Sequence, residues 1–123
     1  MLRQSVVFRF DEQEMRPVCA HDGQGEILTR RVLDRGGGSA LNFVDMTVLP
    51  PGTTVGLHSH QPDEEEHYAI LSGHGQMSLD GQLVEVGPGD LIVNRPGGRH
   101  GLTNIGPGPL RMLVYEVRVP DKE

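Results

Sequence analysis

The sequence predicts an all-β fold, a sandwich or closed barrel in a single domain, and three observations carry that expectation. The 17 Gly and nine Pro fall between short apolar runs rather than within them. Candidate strands recur at roughly eight- to twelve-residue intervals, the rhythm of antiparallel all-β proteins. No stretch longer than about ten residues keeps a helical apolar period without meeting a Gly or a Pro.

The elements follow in chain order. Val6-Val7-Phe8 reads as an edge strand, and the polar stretch 11–25 as a loop or a first-strand crossing. Residues 27–33 are β-compatible, and Gly36-Gly37-Gly38 turns the chain. A long strand over 40–49 stops at Pro50-Pro51-Gly52, and the next spans 53–60. After a polar loop at 61–65, residues 66–72 form a strand that ends at Gly73-His74-Gly75. Residues 76–79 and 82–86 flank Asp80-Gly81, the strongest short-range hairpin signal. Beyond the Gly87-Pro88-Gly89 turn come strands at 91–94, 100–104 and 110–119, and residues 120–123 read as a loose end.

The chain of 123 residues is one domain by length, spanning 1–123, and is long enough to bury a core without staples. Its net charge of −6 comes from 17 acidic and 11 basic residues, and the basic ones are scattered. No nucleic-acid partner is expected, and no anionic membrane surface. No apolar stretch approaches the ~18 residues of a membrane helix, and residues 1–11 lack the apolar run of a signal peptide. Cys19 is the single cysteine, so no internal disulfide forms and the expected location is cytoplasmic. Only His21 lies near it, and a bystander thiol is the expectation.

Of the six histidines, His58 and His60 stand two apart in a β-compatible run, which points both imidazoles the same way, roughly 6–7 Å apart at Cα. Glu64-Glu65-Glu66 opens the next strand and adds a carboxylate, and His100 adds a third imidazole from a distant segment. Three neutral imidazoles and one carboxylate suit one divalent transition metal, iron, manganese, nickel, cobalt, copper or zinc, rather than calcium or magnesium. If Glu66 faces inward, so do Tyr68 and Ile70, while His67 and Leu71 face out. His74, in its Gly-His-Gly turn, reads as solvated. Phe43, Met46, Tyr68, Met77, Leu102, Met112 and Tyr115 lie on strands that could face the interior, and about half of them must face outward. Arg95 and Arg99 flank the His100 loop, where Arg forks could hold a planar anion or stay solvated.

The spacing of these residues resembles the cupin superfamily. Its first motif is G-x5-H-x-H-x3,4-E-x6-G, matched by Gly52, His58, His60, Glu66 and Gly73. Its second is G-x5-P-x-G-x2-H-x3-N, matched by Gly89, Gly97, His100 and Asn104. The motif core therefore runs over 52–104, after flanking strands and loops in 1–39. Two departures stand out. Five residues separate His60 from Glu66, so Glu65 or Glu64 fits the first spacing better, whereas only Glu66 fits the six-residue spacing to Gly73. A strand fixes that second spacing and a loop tolerates insertion, so Glu66 is the expected ligand, ahead of Glu65 and Glu64. Arg95 stands where the motif has Pro, and Pro96 follows it. Asn104 reads as a structural residue that satisfies turn backbone groups.

The resemblance implies a double-stranded β-helix, a jelly-roll cupin barrel, with His58, His60, Glu66 and His100 on the metal. It implies a metal-dependent enzyme acting on a small oxygen-rich molecule, of dioxygenase, isomerase, cyclase or decarboxylase type. The alternative is a non-catalytic cupin that binds or senses a small ligand. Tyr68 is the expected catalytic residue, as a pocket acid or hydrogen-bond donor. Small cupins pair through an exchanged N-terminal strand, so a homodimer using Val6 to Phe8 is expected.

Overall fold

Alternation of buried and exposed residues along short strands builds the molecule. The computed structural model describes residues 4–120, and among these lie ten strands and two 3-10 turns. Residues 121–123 of the expected loose end lie outside the described residues. The strands are β1 (Arg16–Val18), β2 (Ile27–Asp34), β3 (Phe43–Leu49), β4 (Thr54–Ser59), β5 (Glu64–Ser72), β6 (Gly75–Leu79), β7 (Gln82–Val86), β8 (Leu91–Asn94), β9 (Arg99–Asn104) and β10 (Leu110–Arg118). The 3-10 turns are Phe10–Glu12 and Ala20–Asp22. Two antiparallel sheets result, six strands in the order β1-β2-β3-β10-β5-β8 and four in the order β4-β9-β6-β7. Their facing surfaces enclose the core of a double-stranded β-helix.

The period-two pattern is clearest in β10. Leu110, Met112, Val114 and Glu116 point inward and are buried, and the residues between them face out. On β5, Glu66, Tyr68 and Ile70 are buried, while Leu71 is 48% exposed on the other face. Leu49, Met77, Leu102, Leu110 and Met112 fill the centre. The β6–β7 hairpin closes at Asp80-Gly81 with both residues at positive φ, 50° and 89°, the backbone that a two-residue type I′ turn requires.

Several sequence expectations shift. Residues 4–9 form no strand, and Val6 and Val7 are 63% and 73% exposed. The first strand is instead Arg16–Val18, inside the stretch read as a loop or a first-strand crossing. It carries Pro17, which an edge strand tolerates because one row of its backbone groups goes unpaired. The strand over 40–49 begins only at Phe43. β5 begins two residues early, at Glu64, because Glu64 and Glu65 pair with Arg118 and Val117 of β10.

Asn104 does what its type suggests at the end of a strand. It is 2% exposed, its Nδ2 donates to the carbonyls of Leu49 and Gly108 at 2.8 and 2.9 Å, and its Oδ1 accepts from Gly106 N at 2.9 Å. The β9–β10 turn is thereby tied to the end of β3.

Candidate metal centre

A β-bulge aims the first histidine. Strict alternation from the buried Val55 would place Leu57 inward and His58 outward. Val55 pairs with Leu102 and His58 with His100, so Gly56 and Leu57 together oppose the single residue Gly101. Leu57 ends 49% exposed and His58 turns into the barrel beside its register partner His100. Gly101 permits the crowding, since a Cβ there would stand 3.1 Å from the Val55 carbonyl. His60 follows just beyond the end of β4. Glu66 comes from β5 in the other sheet, between Glu116 of β10 and Asn94 of β8.

The donor atoms of His58, His60, Glu66 and His100 lie within 4.8 Å of one another. His60 Nε2 and His100 Nε2 stand 3.1 and 3.2 Å from the same Glu66 oxygen. His58 and His100 rings approach to 4.3 Å between centroids, His58 and His60 to 4.9 Å. His58 Nδ1 donates to Gly56 O at 2.7 Å, which leaves its Nε2 free of a proton. Glu66 and His100 are buried at 5% and 2% exposure, and the other two imidazoles are half-buried.

Electrostatics keeps Glu66 charged and His58 neutral, as a cation wants, but favours a proton on His60 that an ion must displace. Burial pushes the Glu66 carboxyl up, but hydrogen bonds from His100 and His60 outweigh it and hold the group at about 2. Burial lowers His58 to about 4, so it is neutral at pH 7. The hydrogen bond to Glu66 raises His60. Burial and the neighbouring Glu66 charge raise Tyr68, so its hydroxyl keeps its proton. Burial also raises Glu116, against the Asn42 hydrogen bond.

Two buried carboxylates, Glu66 and Glu116, stand directly opposite each other on adjacent strands. Like charges in that position repel, and no Lys or Arg side chain bonds either one among the described residues. The donor set therefore fits a divalent transition ion, whose charge would offset the pair.

Beside the cluster lies a cavity of about 140 Å³ whose walls include His21, Thr29, Asp45, Thr47, His58 and Tyr68. Glu66 and Met112 also line it. Met77 and Leu102 belong to the packed core. Met46 is buried but sits on the opposite face of β3 from Asp45 and Thr47, and Tyr115 packs outside on His67, with ring centroids 4.9 Å apart.

The three acidic neighbours separate. Glu65 points away, bonded to His67 at 2.7 Å and Arg95 at 3.2 Å. Glu64 accepts Gln61 N and stays 4.0 Å from His60 Nδ1. Arg95 and Arg99 are exposed outside the cavity, and so is His74. Cys19 is exposed, with its thiol 3.3 Å from Gly23 O.

Sequence reasoning missed three residues here. His21 stacks on His58, with centroids 3.5 Å apart and planes 6° from parallel. It sits at φ 51° in a turn pressed onto β4 where Gly23 meets Gly56, a long-range contact with no sequence signature. Glu116 could have been found as the one acid at an inward position of an otherwise apolar strand. Asn94 is 3% exposed and neither side-chain polar atom has a partner, a feature only coordinates reveal.

The comparisons with known proteins agree with this fold. A family model described as Cupin domain matches residues 45–116. An uncharacterised protein of Methanocaldococcus jannaschii is 42% identical over 66 residues, 54% of this chain and 52% of that protein. An oxalate-binding protein of Thermotoga maritima is 34% identical over 94 residues, 75% of this chain and 76% of that protein. The chain thus spans about half of the first relative and about three quarters of the second. A crystal structure of a predicted oxalate decarboxylase from Thermotoga maritima superposes with a TM-score of 0.86 at 28% identity, covering 93% of this chain and all of that one.

Proposed function

The chain belongs to the cupin domain family, and from that premise we propose that it is a metal-dependent enzyme acting on a small oxygen-rich molecule bound in the barrel. The observation that carries the reading is the convergence of three imidazoles and a depressed carboxylate within 4.8 Å, against a cavity wide enough for only a few heavy atoms. His58, His60, Glu66 and His100 hold the ion. A divalent transition metal there supplies Lewis acidity toward a ligand oxygen, or a route for electrons.

The chain's own residues do the rest. Tyr68 keeps its proton and donates a hydrogen bond, to Glu66 or to a ligand in the cavity it lines. Thr29 and Thr47, whose hydroxyls lie 3.1 Å apart, and Asp45, held by Arg31 at 2.9 and 3.1 Å, offer polar groups on the far wall. Val18, Ile27, Val55 and Val114 make the remaining walls apolar and limit water.

A second reading is a non-catalytic binder, favoured by the Thermotoga maritima relative whose name is oxalate-binding protein. Metal analysis of protein purified without chelator, with His58→Ala and His100→Ala alongside, tests the shared premise. Near-stoichiometric metal in the wild type and its loss in both variants is expected. A wild type without metal, or variants that keep it, defeats both readings. Metal-loaded protein incubated with oxalate then separates them: a binder returns it unchanged, and an oxalate-consuming enzyme does not.

A further inference from the structure

His60 differs from the other two imidazoles in how it is held. His58 lies on β4 opposite His100, in register with β9, and its Nδ1 is tied to Gly56 O. His60 lies past the strand end, so no ladder sets its ring. Its ring stands between two carboxylates, with Nε2 3.1 Å from Glu66 Oε1 and Nδ1 3.3 Å from Glu116 Oε2.

Glu116 is built into the barrel. Its side chain is 5% exposed, and its Oε1 accepts Asn42 Nδ2 at 3.0 Å. Asn42 also donates its backbone N–H to the Glu116 carbonyl at 2.9 Å. Glu64, the other acid near His60 Nδ1, is farther away at 4.0 Å and more exposed.

We infer that Glu116, held by Asn42, is a positioning residue for His60: it faces the ring's Nδ1 from the side opposite Glu66, turns Nε2 toward the metal position, and so sets how tightly the site takes a divalent metal. The inference rests on the metal reading above. A neutral imidazole carries one ring hydrogen. When an ion takes the Nε2 lone pair, that hydrogen sits on Nδ1, which stands 3.3 Å from Glu116 Oε2. Glu116 is the buried acceptor on that side, and an outer acceptor of this kind makes the ligand nitrogen more basic.

The test uses the full chain with zinc as the probe. Affinity is read by chelator competition for wild type, Glu116→Ala, Glu116→Gln, Asn42→Ala and, as a control, Glu64→Gln. Glu116→Ala is expected to lose about 10–100-fold in affinity. Glu116→Gln, which keeps an acceptor oxygen, loses less, and Glu64→Gln stays near wild type. In parallel, NMR of the zinc-loaded chain reads the His60 Nδ1–H. In the wild type its signal is that of a hydrogen-bonded N–H, and in Glu116→Ala it moves toward that of a free one.

Unchanged affinity together with an unchanged Nδ1–H signal in Glu116→Ala overturns the inference. So does a wild type that binds two ions of which Glu116→Gln loses one, because Glu116 would then be a ligand, with His60 and Glu64, of a second ion. A wild type that takes no zinc defeats the metal reading and this inference with it, whereas zinc bound equally by wild type and Glu116→Ala defeats this inference alone.

Discussion

At the scale of single residues, burial and direction separate three adjacent carboxylates that the sequence could not fully separate. Only Glu66 combines an inward direction with two imidazole contacts, while Glu65 serves His67 and Arg95 on the outer face. Glu66→Gln is therefore expected to lower metal affinity by more than the about 10–100-fold that loss of an outer hydrogen-bond partner costs. Glu65→Gln should leave it within a few-fold, and a zinc titration of both variants checks this. The same residue makes an acid prediction for the metal-free chain. Its folded pKa of about 2 lies below the ordinary 4.5, so its contribution is present above 4.5 and is lost as pH falls toward 2. At that burial the loss is on the order of 3 kcal/mol. His58, lowered to about 4 from 6.5, adds a loss of the same sign at somewhat higher pH. Thermal midpoints of chelated protein between pH 5 and 2.5 should fall steeply for wild type and more gently for Glu66→Gln; parallel curves would contradict the assignment. The four donors were legible because each is a distinctive residue type at a strand- or loop-fixed spacing. His21 was not, because an imidazole in a loop acquires meaning only from what packs beside it, and Glu116 showed only as one acid on the inward face of an apolar strand.

At the scale of elements, what was legible was whatever depends on neighbours in sequence. The Asp80-Gly81 hairpin, the strands over 27–34 and 91–94, and the inward face of β5 all follow from turn chemistry or period-two burial. What stayed hidden depends on a partner strand. The bulge at Gly56-Leu57 exists because Gly101 opposes two residues, and without it His58 would face solvent. The second 3-10 turn rests against this same spot. A Cβ on Gly56 would overlap the His21 carbonyl, and one on Gly23 would overlap Thr54 O. Gly56→Ala should therefore push the turn off β4, break the His21–His58 stack and weaken metal binding although it touches no donor. Stability should fall by about 1–3 kcal/mol, the usual cost of overpacking. Denaturant unfolding and zinc affinity measured together check it, and Gly108→Ala, with nothing within 4 Å of its Cβ, is the control for adding a methyl group without a clash. Asn104→Ala breaks three hydrogen bonds of a buried amide, two donated to the Leu49 and Gly108 carbonyls and one accepted from Gly106 N. A loss of about 2–4 kcal/mol is expected, since orphaned buried backbone groups cost more than an exposed bond is worth.

At the scale of the whole molecule, the site joins the two sheets. His58 and His100 come from the four-stranded sheet, Glu66 from the six-stranded one, and His60 from the connection between β4 and β5. An ion held by all four ties the halves of the barrel together in the folded state, and the unfolded chain has no such cluster. Binding then appears as stability by mass action: free metal at 1,000 times its dissociation constant adds about 4 kcal/mol. For a domain of this size, each kcal/mol moves the midpoint by roughly 3–5 °C, so saturating metal should raise Tm by on the order of 12–20 °C. Chelator should reverse the shift. His100→Ala should abolish it, because it removes one of the four donors. Asp45→Asn, on the far wall of the cavity, should retain it. Calorimetry with and without a transition metal ion decides: a shift that survives in His100→Ala would place the ion elsewhere, and no shift in wild type would leave the four donors as a hydrogen-bonded cluster and nothing more.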